Sequence, residues 1–403
     1  MRHAAIGMMG ALTLTATAIA AIADGLDVHA GKALFERRWI ASPSSTSSAN
    51  GLGPLFNATS CDGCHKGGGP ASFVADGGSL AARGFVVRLV APDGLPDPLY
   101  GRQLQERGIP GMVPEARIFP TLVKEQGDGD KALSRMIAVV RFNGPVPTSL
   151  SEIRVAPSLA GRGLIAKADD RAVLALADPD DRDGDGISGR PRHIASLDGR
   201  DMLGRFGWKA ASPSLAVSIA TAAAVDMGLG SRLEPHPHGD CTTRQTACLD
   251  RLTGIEAGSD SELDDEALTL LSVFVTSLAP PAGHGPPPAA FTTTQCGSCH
   301  TPELATRDGG TVPLFSDLLL HDMGANLSGP APDGDAAASE WKTAPLMDLA
   351  PRGGKRRYLH DGRAATVGEA IAWHGGEASA ARKRFEALTP EEQAALIRYL
   401  ESL

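Results

Sequence analysis

Two five-residue stretches decide how this chain is read: Cys61-Asp62-Gly63-Cys64-His65 and Cys296-Gly297-Ser298-Cys299-His300. In each, two thiols three residues apart leave the backbone on one side of a turn, and a histidine follows at once. That spacing suits addition of both thiols to the vinyl groups on one edge of a porphyrin, with the adjacent imidazole reaching the iron. A thioredoxin-like pair or a shared four-cysteine zinc site would employ the cysteines but leave both histidines without a role. The sequence therefore predicts two covalently bound haem c groups. One is held by Cys61, Cys64 and His65, the other by Cys296, Cys299 and His300.

The remaining cysteines, Cys241 and Cys248, are expected to close a short disulfide loop, worth about 2.5 kcal/mol on the loop-entropy model. Residues 1–23 read as an export signal. Arg2 and His3 precede an apolar stretch, and Ala21-Ile22-Ala23 forms a small-x-small cleavage site. The threonines at 13, 15 and 17 make a membrane anchor the poorer reading, and no later segment is long and apolar enough to span a bilayer. The chain of 403 residues has only 11 Phe, 4 Trp and 3 Tyr, a shortage that a bound apolar cofactor would offset. Its net charge of −9, with no long basic tract, argues against a nucleic-acid partner.

The Pro- and Gly-rich stretch 279–290 is the best domain boundary, dividing the chain into units 24–280 and 281–403, with residues from about 150 to 260 as a loop-rich insertion in the first. Two amphipathic helices are expected. One begins near Ser261 and carries Leu268, Leu271 and Val275; the other begins at Thr389-Pro390-Glu391-Glu392 and carries Leu396 and Leu400. Asp181, Asp183 and Asp185 alternate before Gly186, as in the front half of a calcium loop. Arg192 stands where an EF-hand would place its closing glutamate, so a complete EF-hand is not predicted.

Further motifs extend the pattern. They are Gly53-Pro54-Leu55-Phe56-Asn57, Asp183-Gly184-Asp185-Gly186-Ile187-Ser188-Gly189-Arg190, Arg205-Phe206-Gly207-Trp208-Lys209-Ala210, Asp226-Met227-Gly228, Leu320-His321-Asp322-Met323-Gly324, Glu340-Trp341-Lys342-Thr343-Ala344-Pro345-Leu346, Tyr358-Leu359-His360-Asp361-Gly362-Arg363-Ala364 and Trp373-His374-Gly375-Gly376-Glu377-Ala378. With the two haem motifs, this set resembles the bacterial di-haem oxidoreductases, peroxidase-like or thiol-oxidoreductase-like proteins more distantly similar to the di-haem cytochrome c peroxidases.

The resemblance implies a mainly α protein of two cytochrome c-like haem domains, exported to the periplasm. It implies peroxide reduction, with a small redox protein as electron donor and hydrogen peroxide or another small oxidant as acceptor. The haem on His65 would meet peroxide and the haem on His300 would store an electron. A calcium ion between the domains would fit Asp181, Asp183 and Asp185. Leu359 stands where the resemblance implies an iron-binding methionine, and leucine cannot bind iron. The sixth-ligand candidates are then His360, Met323 and His321, in that order. Gln105 and Glu115, with Gln103 beside them, are the candidates for the polar and acid–base groups that peroxide cleavage needs. Trp208, Trp341 and Trp373 qualify by type as aromatic steps between the haems, and Arg352, Lys355, Arg356, Arg357 and Arg363 as partners for propionates. Two other readings stay open: a non-enzymatic di-haem electron carrier, and a haem oxygenase using O₂.

Overall fold

The computed structural model describes residues 25–403 except 77–78, 92, 127–131, 197, 256–259 and 283–284. The expected export signal lies outside the described residues. The fold is not mainly α: about 29% is helix and 22% strand, and nothing in it identifies cytochrome c-like domains. The correction has a local cause. Phe85–Val90 and Leu150–Val155 are rich in Val and Ile, and Phe85, Val87 and Leu89 are buried while Val86 and Arg88 are half-buried, so these segments pair as a ladder rather than coiling. Phe85–Val90 pairs antiparallel with Leu150–Val155, and Val87 and Leu89 point into a core with Tyr100 and Leu104. Ala116–Gln126 and Ala132–Phe142 form a long antiparallel hairpin whose base, Ala116 opposite Phe142, joins the same core. Every ladder among the described residues has only two strands, so helices and loops, not an extended sheet, frame the interior.

The Leu215–Met227 helix is capped by Ser214, whose side chain accepts from Val217 N at 3.2 Å, and it ends at Gly228 in the left-handed conformation. Gly228 also touches Gly53: a Cβ built on Gly53 would lie 2.6 Å from Gly228 Cα, so neither position has room for a side chain. The alanine face of this helix meets the Asp265–Ser277 helix, which places Leu268, Leu271, Phe274 and Val275 in a core with Phe35 and Trp39. That second helix starts later than its sequence suggests because the Asp264 side chain accepts from Ala267 N at 2.7 Å.

The helix Pro390–Glu401 forms as predicted, with a reciprocal capping box between Thr389 and Glu392. Its buried Leu396 and Leu400 pack with Phe291, Phe315, Trp373 and Phe385. A further core joins distant parts of the chain, setting Ile165, Val173 and Phe206 against Leu304, Leu314, Leu318 and Leu319. Cys241 and Cys248 are paired as expected. No helix among the described residues is long and apolar enough to cross a membrane.

Candidate functional site

Each cysteine–histidine motif lines its own cavity, and the two cavities are nearly equal, about 280 Å³ and about 300 Å³. In the first, Ser60 caps the short turn Cys61–Cys64 by accepting from Gly63 N at 3.1 Å, which presents both thiols to one side. Burial pushes the Cys61 and Cys64 thiols up to about 12, so near neutral pH they are not thiolates. The four motif cysteines are unpaired and fall in separate cavities, so they form no shared four-cysteine site. Burial, and next the Arg162 cation, lowers His65 to about 4, which leaves a neutral imidazole. Its Nδ1 is buried without a hydrogen-bond partner.

In the second cavity Gln295 takes the left-handed conformation, φ 60°, to turn the chain into Cys296–Ser298. His300 Nδ1 donates to Phe315 O at 2.9 Å. A carbonyl only accepts, so Nδ1 carries the proton and Nε2 keeps its lone pair for a metal. Burial lowers His300 to about 4, again giving the neutral form a metal requires.

Three predicted sixth-ligand candidates line this cavity. His321 is clamped: its Nε2 lies 2.8 Å from Asp317 and its Nδ1 2.7 Å from Glu377, which also accepts from Ser188 N and Oγ. Burial opposes its charge, but these hydrogen bonds prevail and push it up to about 12. His321 is thus an imidazolium with no lone pair to offer. His360 stacks on Trp341, ring centroids 3.7 Å apart and planes within 10°. Burial, with the cations Arg154, Arg363 and Lys209, holds it well below its ordinary value. Arg154 and Lys209 each lie 4.3 Å from the Trp341 ring centroid. Met323 contributes an uncharged thioether to the wall.

The cavities share a partition. Val155, Ala156, Pro157, Arg162, Gly207 and Trp208 line both. Arg162 donates its Nε to Ser158 O at 2.9 Å and has no carboxylate partner among the described residues. The neighbouring Lys342 is 5% exposed, and the only described hydrogen bond of its ammonium is a long one, 3.4 Å, to Thr343 O. Burial, and next Arg162, lowers it to about 7. The buried Arg162 guanidinium without a carboxylate partner, beside an ammonium that holds its charge only partly near neutral pH, calls for an anion at the cavity wall. Together with the paired cysteines and the histidine lone pairs, these groups fit a haem carrying carboxylate side chains.

Residues 149–403 match the family described as "Di-haem oxidoreductase, putative peroxidase". The chain belongs to this di-haem oxidoreductase family. No curated protein and no solved structure matches the chain. The family's name implies two haems, in agreement with two cavities each holding one cysteine–histidine motif.

Other predicted residues lie elsewhere. Gln105 and Glu115 bond to each other, Gln105 N donating to Glu115 at 2.7 Å, but neither lines either of these two cavities. Instead Gln103 and Asp226 line the first cavity, Gln103 Nε2 donating to Asp226 Oδ1 at 2.6 Å. Burial raises the Asp226 carboxyl to about 6. Sequence reasoning singled out Gln103 but gave Asp226 no role; its adjacency to Met227-Gly228, where the backbone approaches Gly53, was the available signal. Asp181, Asp183 and Asp185 bring one carboxylate oxygen each within 4.8 Å of one another, and Asp185 reaches the second cavity's wall. Of the basic cluster, Arg356 and Arg357 line that cavity. Arg352 is paired with Asp348, and Arg363 with Asp361.

Proposed function

We propose that this protein is an exported c-type di-haem oxidoreductase that reduces hydrogen peroxide, taking electrons from a small redox protein in the periplasm. The observation that carries the reading is the pair of matched cavities, each with two thiols and a neutral histidine, separated by the partition that contains Trp208. Bound haem iron would supply one-electron redox chemistry at each cavity. The rest falls to the chain's own groups.

Reduction of hydrogen peroxide to two waters consumes two electrons and two protons. In the first cavity Asp226 gains and loses its proton near pH 6, and the Gln103 amide fixes the carboxyl's orientation. Arg162 and Lys342 bind the cofactor carboxylates. Trp208 fills the partition, so an electron crossing between cavities meets its indole or the backbone to which it is bonded. Asp181, Asp183 and Asp185 are assigned to a hard cation such as Ca²⁺, at a loop that Ser188 ties to Glu377.

The decisive test is intact mass and pyridine haemochrome absorbance on the exported protein, followed by peroxide consumption with a reduced c-type donor. Two haem masses added covalently, with catalytic loss of peroxide, support the reading. An unmodified polypeptide mass removes the haem assignment; covalent haem without peroxide turnover removes only the peroxidase activity.

A further inference from the structure

The sequence offers three candidates for the iron ligand opposite His300, and the structure points to a fourth. His374 follows the short Val367–Ala372 helix and lines the same cavity as Cys296, Cys299 and His300. Its Nδ1 donates to Ala370 O at 2.8 Å, one turn back along the chain. This repeats the arrangement at His300, where Nδ1 donates to Phe315 O at 2.9 Å. In both rings the proton is therefore on Nδ1 and the lone pair on Nε2.

The two rings lie 6.5 Å apart between centroids and are tilted by 45°. A metal bound by two imidazole nitrogens at about 2.0–2.1 Å each, with each ring centre roughly 1.2 Å farther, sets centroids about 6.4 Å apart. The observed separation matches the one that two imidazoles on one metal would have. His321, by contrast, has both nitrogens taken by carboxylates. His360 lies flat against Trp341, so it is held by stacking. The Met323 thioether makes no hydrogen bond among the described residues and packs against the C-terminal core.

We propose that His374 is the sixth iron ligand of the C-terminal haem, giving that iron two histidines, His300 and His374, on opposite faces. The proposal rests on the haem c reading above. It assigns the C-terminal site to electron storage, because an iron with both axial positions filled by protein has none open to peroxide. Chemistry is thereby left to the first cavity, where Gln103 and Asp226 stand.

The test uses the holoprotein and reads spin state rather than turnover. Haem content is measured first: if the wild type carries no covalent haem, the underlying reading fails and the ligand question lapses with it. With two haems present, electron paramagnetic resonance and optical spectra of the oxidised wild type should show a low-spin bis-histidine signal for one haem. His374→Ala should convert that haem to high spin, and added imidazole should restore low spin. His374→Met should keep it low-spin, introduce the near-infrared band of methionine ligation and raise its midpoint potential. His360→Ala should leave the bis-histidine signal in place. If His374→Ala leaves that signal unchanged, or His360→Ala abolishes it, the assignment is overturned. Should His374→Ala fail to fold, His374→Met decides alone: an unchanged potential and no methionine band count against the proposal.

Discussion

The Trp208 indole Nε1 donates to the Val155 carbonyl at 2.9 Å, and both residues face both cavities. The bond fixes the one aromatic side chain among the residues shared by the two cavities. Trp208→Phe keeps an aromatic partition but leaves the Val155 carbonyl without its donor, a loss of about 1 kcal/mol. Haem content should stay at two per chain. Electron exchange between the haems, followed by stopped-flow absorbance after half-reduction, should slow; an unchanged rate would remove Trp208 from the path.

Asp226 makes a prediction in pH. Burial raises its carboxyl from the ordinary 3.8 to about 6. Between those values the folded chain holds a proton that the unfolded chain has released, so this group's contribution to stability falls as pH rises from about 3.8 to about 6. Asp226→Asn should flatten that segment of the stability–pH curve. If Asp226 delivers the proton for peroxide cleavage, the same variant should lower turnover by roughly 10²–10⁴-fold. It should also erase the limb of the rate profile near pH 6. Retained turnover with a retained limb would assign Asp226 a structural role.

His321 behaves in the opposite chemical sense but with the same sign. Its folded value is pushed up to about 12 by Asp317 and Glu377, against an ordinary 6.5. The stabilisation is fully present below pH 6.5 and is lost as pH rises from there toward 12. Asp317→Asn breaks a buried charge cluster and should cost about 3–5 kcal/mol near neutral pH. Denaturant melts at pH 6 and pH 9 check both statements: the wild type should be less stable at pH 9, and the variant's difference between the two should shrink.

The C-terminal helix supplies a packing prediction. Leu396 is fully buried among Phe291, Phe385 and Leu400. Leu396→Ala should cost about 2–5 kcal/mol through lost burial and the cavity left behind. Thr389→Ala, which removes only the cap, should cost about 1 kcal/mol. Thermal unfolding should rank the two in that order.

What the sequence determined by itself is local chemistry written in short spacing. Cys-x-x-Cys-His marks a candidate ligand set within five residues, and Thr389 to Glu392 marks a helix start within four, so neither needs the rest of the chain. The Cys241–Cys248 pair is likewise a matter of nearest neighbours. The fold class was misjudged because the strands of residues 85–155 find partners up to seventy residues away, as Phe85 does with Val155. Only the tertiary structure decided which polar groups face a cavity. Gln105 and Glu115 look like a distal pair in sequence yet bond to each other behind the wall, while Gln103, two residues from Gln105, points to Asp226 inside it. His321 and His374 show the same limit. Each sits in a histidine-bearing motif, but one has both nitrogens held by carboxylates brought from Asp317 and Glu377, and the other keeps a lone pair on Nε2 with its ring centroid 6.5 Å from that of His300. A side chain's type sets what it can do; the groups that arrive from elsewhere in the chain set what remains free to do it.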